Sequence, residues 1–233
     1  MKILKYNIKL EKYRIGVWLI ILYHKLIKYN KKIIFRDEKL NYLYSVYNKT
    51  YNNERALEIP IAKNILKRFK GGEILEIGNV LNHYINVKHV VVDKYEKYPG
   101  VINSDIIEFN SEIKFDLIIS ISTFEHIGFD EYSRYSDQQN DRSDSKNKLI
   151  AAFSKMTELL KDNGKFIFTS PIGYNPSLDE LIRKNEIPNM KTSFYKRISE
   201  NNEWTIATDL NWENIKYGQP YPAANFLIIG ELS

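Results

Sequence analysis

The sequence predicts an α/β domain, doubly wound around a mostly parallel sheet of seven strands with an antiparallel last strand. Three observations point there. Short apolar runs that read as buried strands alternate with stretches of helical periodicity. Three successive runs end in a carboxylate, at Glu76, Asp93 and Asp105. The last two runs have no helical pattern between them, so an antiparallel pair is expected at the sheet edge.

Residues 1–52 read as a helical extension and 53–233 as the main domain. The chain of 233 residues is 43% apolar and 27% charged, as a soluble globular protein is. It has no cysteine, which excludes disulfides and thiolate metal sites and suits a cytoplasmic protein. Residues 1–36 hold ten Lys or Arg against the single acid Glu11, or +9, within a chain of net charge +5. A basic arm on a mildly acidic body suits an anionic surface, such as the inner face of a membrane, better than a nucleic-acid groove.

Inside that arm, Ile15 to Tyr23 is uncharged and apolar. It is far shorter than the ~20 residues a spanning helix needs. It runs into His24-Lys25 without a small-residue cleavage site. The run is therefore a helix that either packs on the domain or lies in a membrane interface.

From Asn53, apolar residues at three- and four-residue spacing predict a helix, firm from Pro60, that stops at Gly71-Gly72. Ile74 to Ile77 is the central strand, broken by Gly78. Lys88–Asp93, Gly100–Ile106 and Phe115–Ser122 follow as strands. Residues 130–147 are polar and aperiodic, as a flexible loop is. Leu149 to Leu160 is helical, with Asp162-Asn163-Gly164 as its stop. Lys165–Ser170 is the fifth strand, and Trp204–Thr208 and Asn225–Gly230 are the last two.

If these strands are parallel, the three acids line the edge where open α/β sheets bind ligands. Carboxylates there can accept ribose hydroxyls and an adenine amino group, with apolar neighbours such as Ile106 sandwiching the ring. A strand-end carboxylate also caps the next helix. No phosphate-cradling glycine motif is present, which favours a nucleoside cofactor over a nucleotide.

At this point the chain resembles the class I S-adenosylmethionine-dependent methyltransferases, which are Rossmann-like. Over residues 53–233 the resemblance runs through Glu76-Ile-Gly78, Val92-Asp93, Ser104-Asp105-Ile106, Phe115-Asp-Leu-Ile and Leu160-Lys-Asp-Asn-Gly164 to the reversed strand Asn225–Gly230. Ser120–Gly128 and Thr169–Asn175 look like a branch associated with glycan or surface-polysaccharide loci. The resemblance implies S-adenosyl-L-methionine as cofactor. It sets Gly78 at the methionine part, Asp93 at the ribose and Asp105 at the adenine, with Ser120 and Ile121 beneath, and Glu76, Asn79 and Ile106 complete the expected cofactor-binding set. Val80 stands where the family usually has a second glycine, and its side chain either crowds the cofactor or redirects the loop.

Methyl transfer to oxygen needs an in-line geometry and a base. His126, just past the fourth strand, is the candidate base, with Glu125 orienting it or holding a hydroxyl. Tyr174 and Asn175 follow the fifth strand and are candidates for acceptor contact. His24, His83 and His89 have no acid partner at metal-ligand spacing, so no metal is assigned. The expected function is O-methylation of a small molecule or glycan. The alternative is a methyltransferase-like binding or scaffold protein without turnover, for which Val80 is the motive.

Overall fold

A computed structural model describes residues 15–26, 30–129 and 144–233. Residues 15–26 form helix α1. A hairpin follows, strands β1 (Lys32–Phe35) and β2 (Glu38–Asn41), and then helix α2 (Arg55–Arg68). The main sheet comprises β3 (Ile74–Ile77), β4 (Val90–Val92), β5 (Val101–Ile102), β6 (Phe115–Ile121), β7 (Leu160–Pro171), β8 (Lys191–Arg197), β9 (Trp204–Ala207) and β10 (Phe226–Leu232). Helix α3 (Ser145–Leu159) precedes β7, and α4 (Pro176–Arg183) follows it.

The strand order is β5-β4-β3-β6-β7-β10-β8-β9. Strands β3 to β7 are mutually parallel, and β10 runs antiparallel to both of its neighbours. This is the expected doubly wound, mostly parallel sheet with a reversed last strand. It has eight strands, however, not seven. Strand β8 separates β10 from β9, so the last two predicted strands do not pair with each other. The sequence hides β8 because Lys191-Thr-Ser-Phe-Tyr-Lys-Arg buries only Tyr195 and Arg197 and offers no apolar run.

Period-two alternation divides the core between the two sheet faces. Ile118, Phe166, Phe168 and Ile228 point to one face, where they pack with Leu149, Phe153 and Met156 of α3. Leu117, Ile119, Ile167 and Ile229 point to the other, against Leu57, Ile61 and Ile65 of α2. Ile33 and Phe35 of the hairpin belong to that second cluster. The extension is thus helical over 15–26 but β over the hairpin.

Helix α2 begins five residues before Pro60. A proline inside a helix leaves the carbonyl four residues earlier without its donor. Here that carbonyl, Ala56 O, accepts from Leu43 N at 3.0 Å, so the chain before the helix satisfies the bond that Pro60 cannot. Strand β7 starts directly after α3, and the expected stop at Asp162-Asn163-Gly164 is a bulge within the strand: Phe115 pairs with Leu160 while Leu117 pairs with Lys165. Most of the expected loop 130–147 lies outside the described residues, and 145–147 open α3.

Candidate active site

The sheet reverses its winding between β3 and β6, and at the carboxyl ends of these strands lies a cleft of about 290 Å³. Ligand crevices of open α/β sheets occur at this point. The loop after β3 forms its first wall. Gly78 has φ +84°, and a Cβ there would sit 2.2 Å from Thr123 Oγ1, so both backbone and space demand glycine. Two residues on, Val80 has φ −91° and ψ −47°, which any L-residue adopts. Its side chain packs partly against the α2-side core, so no glycine is needed to turn the loop here.

Glu76 holds that loop in place. Fully buried, its Oε1 accepts from Val80 N (3.0 Å) and Leu81 N (2.7 Å), and its Oε2 lies 2.9 Å from His89 Nε2. It does not line the cleft, and its expected place among cofactor contacts is corrected to shaping the loop that would make them. Asn79 does line the cleft and donates from Nδ2 to Glu96 Oε1 at 2.9 Å.

Asp93 lines the cleft at the end of β4 but is heavily engaged. Its carboxylate accepts from Asn79 N (2.9 Å), Tyr95 N (2.8 Å) and Glu96 N (2.7 Å), three of the roughly four acceptor positions a carboxylate offers. Glu96, three residues on, is the more open acid. It reaches Asn79 and, at 2.9 Å, His83 Nε2, and it also lines the cleft. Asp105 lies on the same wall, 2.7 Å from Lys94 Nζ and accepting from Ile107 N at 3.0 Å. Ile106 lines the cleft with Ile77, Val92 and Ile127.

Ser122 and Thr123 form the floor, not Ser120 and Ile121. The latter two are buried within β6 and do not reach the cleft; the strand extends one pleat further than its predicted contacts. Ser122 has φ +36°, a strained conformation for a residue with a Cβ. A buried network secures it. Ser122 Oγ donates to Glu58 Oε1 (2.6 Å), and Thr169 Oγ1 donates to the same oxygen (2.5 Å). Ser122 N donates to Thr169 O at 3.0 Å, and Arg55 Nη1 donates to Glu58 Oε2 at 2.6 Å.

Burial opposes the Arg55 charge, but the carboxylates of Glu58, Glu54 and Glu125 around it hold its pKa above the ordinary value. Arg55 also lines the cleft. It is a cleft residue that spacing gave no reason to select. An Arg-Glu pair three apart on a helix is ordinary, and the contacts from Glu58 to Ser122 and Thr169 that fix it are distant in sequence.

His126 ends a 3₁₀ turn, Phe124–His126, that follows β6. Phe124 anchors the turn, 4.8 Å from the Phe153 ring and 5.1 Å from Phe166. His126 lines the cleft. Glu125 points inward: its Oε1 is 3.8 Å from His126 Nε2, beyond hydrogen-bond range, and its buried Oε2 has no hydrogen-bond partner among the described residues. Burial raises its pKa well above the carboxylate range, against a lowering backbone bond, and Glu58 nearby adds to the rise. Burial of this kind favours the protonated form.

Tyr174 sits edge-on to His126, with ring centroids 5.1 Å apart, and to Tyr217 at 4.9 Å. It does not line the cleft but backs the imidazole. Asn175 is corrected from acceptor contact to helix cap. Buried, it accepts from Ser177 N and Leu178 N at the start of α4 and donates to Glu125 O at 2.8 Å. His83 and His89 do meet carboxylates, Glu96 and Glu76, each thirteen positions away in sequence. Among the described residues no three His, Asp or Glu converge as a metal site.

No protein-family model matches the chain, and no curated protein matches its sequence. Solved structures similar to it include a SAM-dependent methyltransferase of Thermotoga maritima described as a possible histamine N-methyltransferase, 15% identical over 75% of this chain and 86% of that one, TM-score 0.43. A SAM-dependent methyltransferase of Archaeoglobus fulgidus is 15% identical over 75% and 94%, TM-score 0.42. The N-methyltransferase NodS of Bradyrhizobium japonicum, in complex with S-adenosyl-L-homocysteine, is 11% identical over 74% and 86%, TM-score 0.42.

Proposed function

We propose that the chain is an S-adenosylmethionine-dependent methyltransferase acting on a hydroxyl of a small molecule or glycan. The observation that carries this reading is the convergence on one cleft of the Gly78 turn, the acids Asp93, Glu96 and Asp105, and His126. The lining suits the cofactor: apolar Ile77, Val92, Ile106 and Ile127 for a ring, carboxylates for hydroxyls, and the Arg55 guanidinium for a carboxylate. Bound there, S-adenosylmethionine would supply an electrophilic methyl group.

The chain's residues would then do three things. Glu96, less engaged than Asp93, accepts from the ribose hydroxyls, while Asp93 fixes the turn that presents Glu96. Arg55, held rigid by Glu58, takes the carboxylate end. His126 removes the proton of the acceptor hydroxyl, with Tyr174 backing its imidazole edge-on.

The alternative, a turnover-deficient scaffold, rests on Val80: it turns the loop without strain but its side chain lines the cleft. The test is methyl transfer from radiolabelled S-adenosylmethionine to a panel of sugars, lipid-linked glycans and phenols. Transfer to a hydroxyl that falls about 10²–10⁴-fold in His126→Ala supports the reading. Transfer only to amines, or a His126→Ala rate equal to the parent's, contradicts it.

A further inference from the structure

Helix α1 carries two apolar stripes on opposite sides, and the domain uses only one. The inward stripe, Val17, Ile21 and His24, is spaced four and three residues apart and is buried on Tyr42, Tyr44 and Tyr51. His24 stacks on Tyr44 at 5.4 Å and on Tyr51 at 5.9 Å. These contacts fix the rotation of the helix about its axis.

The outward stripe consists of Ile15, Trp18, Leu19, Leu22 and Leu26, the three- and four-residue recurrence of a continuous helical face. All five are exposed, from 37% at Leu22 to 69% at Leu26. A row of large apolar side chains held outward in this way marks a surface made to be covered.

We infer that this face of α1 docks in the interfacial region of an anionic lipid bilayer, with the helix lying flat. Charge identifies the occupant. Residues 1–28 hold seven Lys or Arg against Glu11, or +6, apart from Lys31 and Arg36, which pair with Glu203 and Glu231. Basic residues flanking an apolar helical face are attracted to acidic headgroups. The same charge would oppose covering the stripe with the stripe of a second copy. Among the described residues no helix is long and apolar enough to cross a membrane. The proposal is independent of the chemistry in the cleft.

The test is co-sedimentation of the full chain with phosphatidylcholine vesicles, with and without phosphatidylglycerol. The expected result is binding that needs the anionic lipid and weakens as salt is raised. Replacing two outward residues (Leu19→Asp with Leu22→Asp) should reduce it at least about tenfold. Both positions are exposed, so the unfolding midpoint should stay unchanged. Independently of that variant, Trp18 fluorescence should shift to shorter wavelength on binding, and Trp18→Phe should abolish the shift. Three results would overturn the inference: no sedimentation with anionic vesicles, equal binding by the double variant, or a dimer in sedimentation velocity that the double variant dissolves.

Discussion

Gly78 and Glu58 show how single residues hold the cleft open and rigid. At Gly78, positive φ and the 2.2 Å approach to Thr123 act together. Gly78→Ala should therefore push the loop off the floor and weaken S-adenosylhomocysteine binding at least about tenfold, measurable by calorimetric titration. Glu58 is fully buried and joins Arg55, Ser122 and Thr169. Removing it leaves the largely buried Arg55 without its salt-bridge partner, so Glu58→Ala should destabilise the fold by about 3–5 kcal/mol in a denaturant titration. Gly78 and Asp93 were legible in the sequence because each directly follows or closes an apolar run, and His126 because it is a histidine a few residues past one. Arg55 and Glu58 were not. Their significance lies in contacts that span 64 residues to Ser122 and 111 to Thr169, and no local pattern records such a pairing.

Among the elements, α4 carries a group with a testable titration. Asp179 in its first turn accepts from Gly173 N at 2.8 Å, and burial raises its pKa to about 7, against the lowering effect of that bond. An aspartate with a raised native pKa binds its proton more tightly in the folded than in the unfolded chain. Its contribution to stability therefore falls as pH rises from the ordinary aspartate range to about 7, and is constant beyond. Asp179→Asn should remove this fall. Urea midpoints should show the variant gaining on the parent between about pH 5 and about pH 8. Elements with strong apolar runs, such as β3 and β6, were legible. Strand β8 was not, since its inward residues are a tyrosine and an arginine. The first part of α2 was legible from Asn53 but weakened by Pro60, whose missing donor is replaced by Leu43 N at Ala56 O.

At the scale of the whole molecule, the sheet order places one crevice at the point where its winding reverses. The segment before the sheet then completes that crevice. Tyr47 and Asn48 line it from the turn preceding α2, with Tyr47 stacked on His83 at 4.5 Å. Tyr44 and Tyr51, which flank that turn, are the residues on which α1 packs. The proposed membrane-facing helix and the proposed active site therefore share a short stretch of chain. The alternation of strands and helices made the sheet legible. This sharing was not, because the tyrosines carry no periodic signal.

The most direct test of the central proposal, that this cleft holds an adenosyl cofactor, is thermal unfolding with and without S-adenosylhomocysteine. Ligand at about a hundred times its dissociation constant should raise the midpoint by about 5–10 °C for a chain of this size. Glu96→Gln, which leaves the Asp93 turn intact, should reduce that rise without lowering the midpoint of the free protein. No rise at saturating ligand, or an undiminished rise in Glu96→Gln together with Arg55→Lys, would contradict the assignment of these residues to the cofactor.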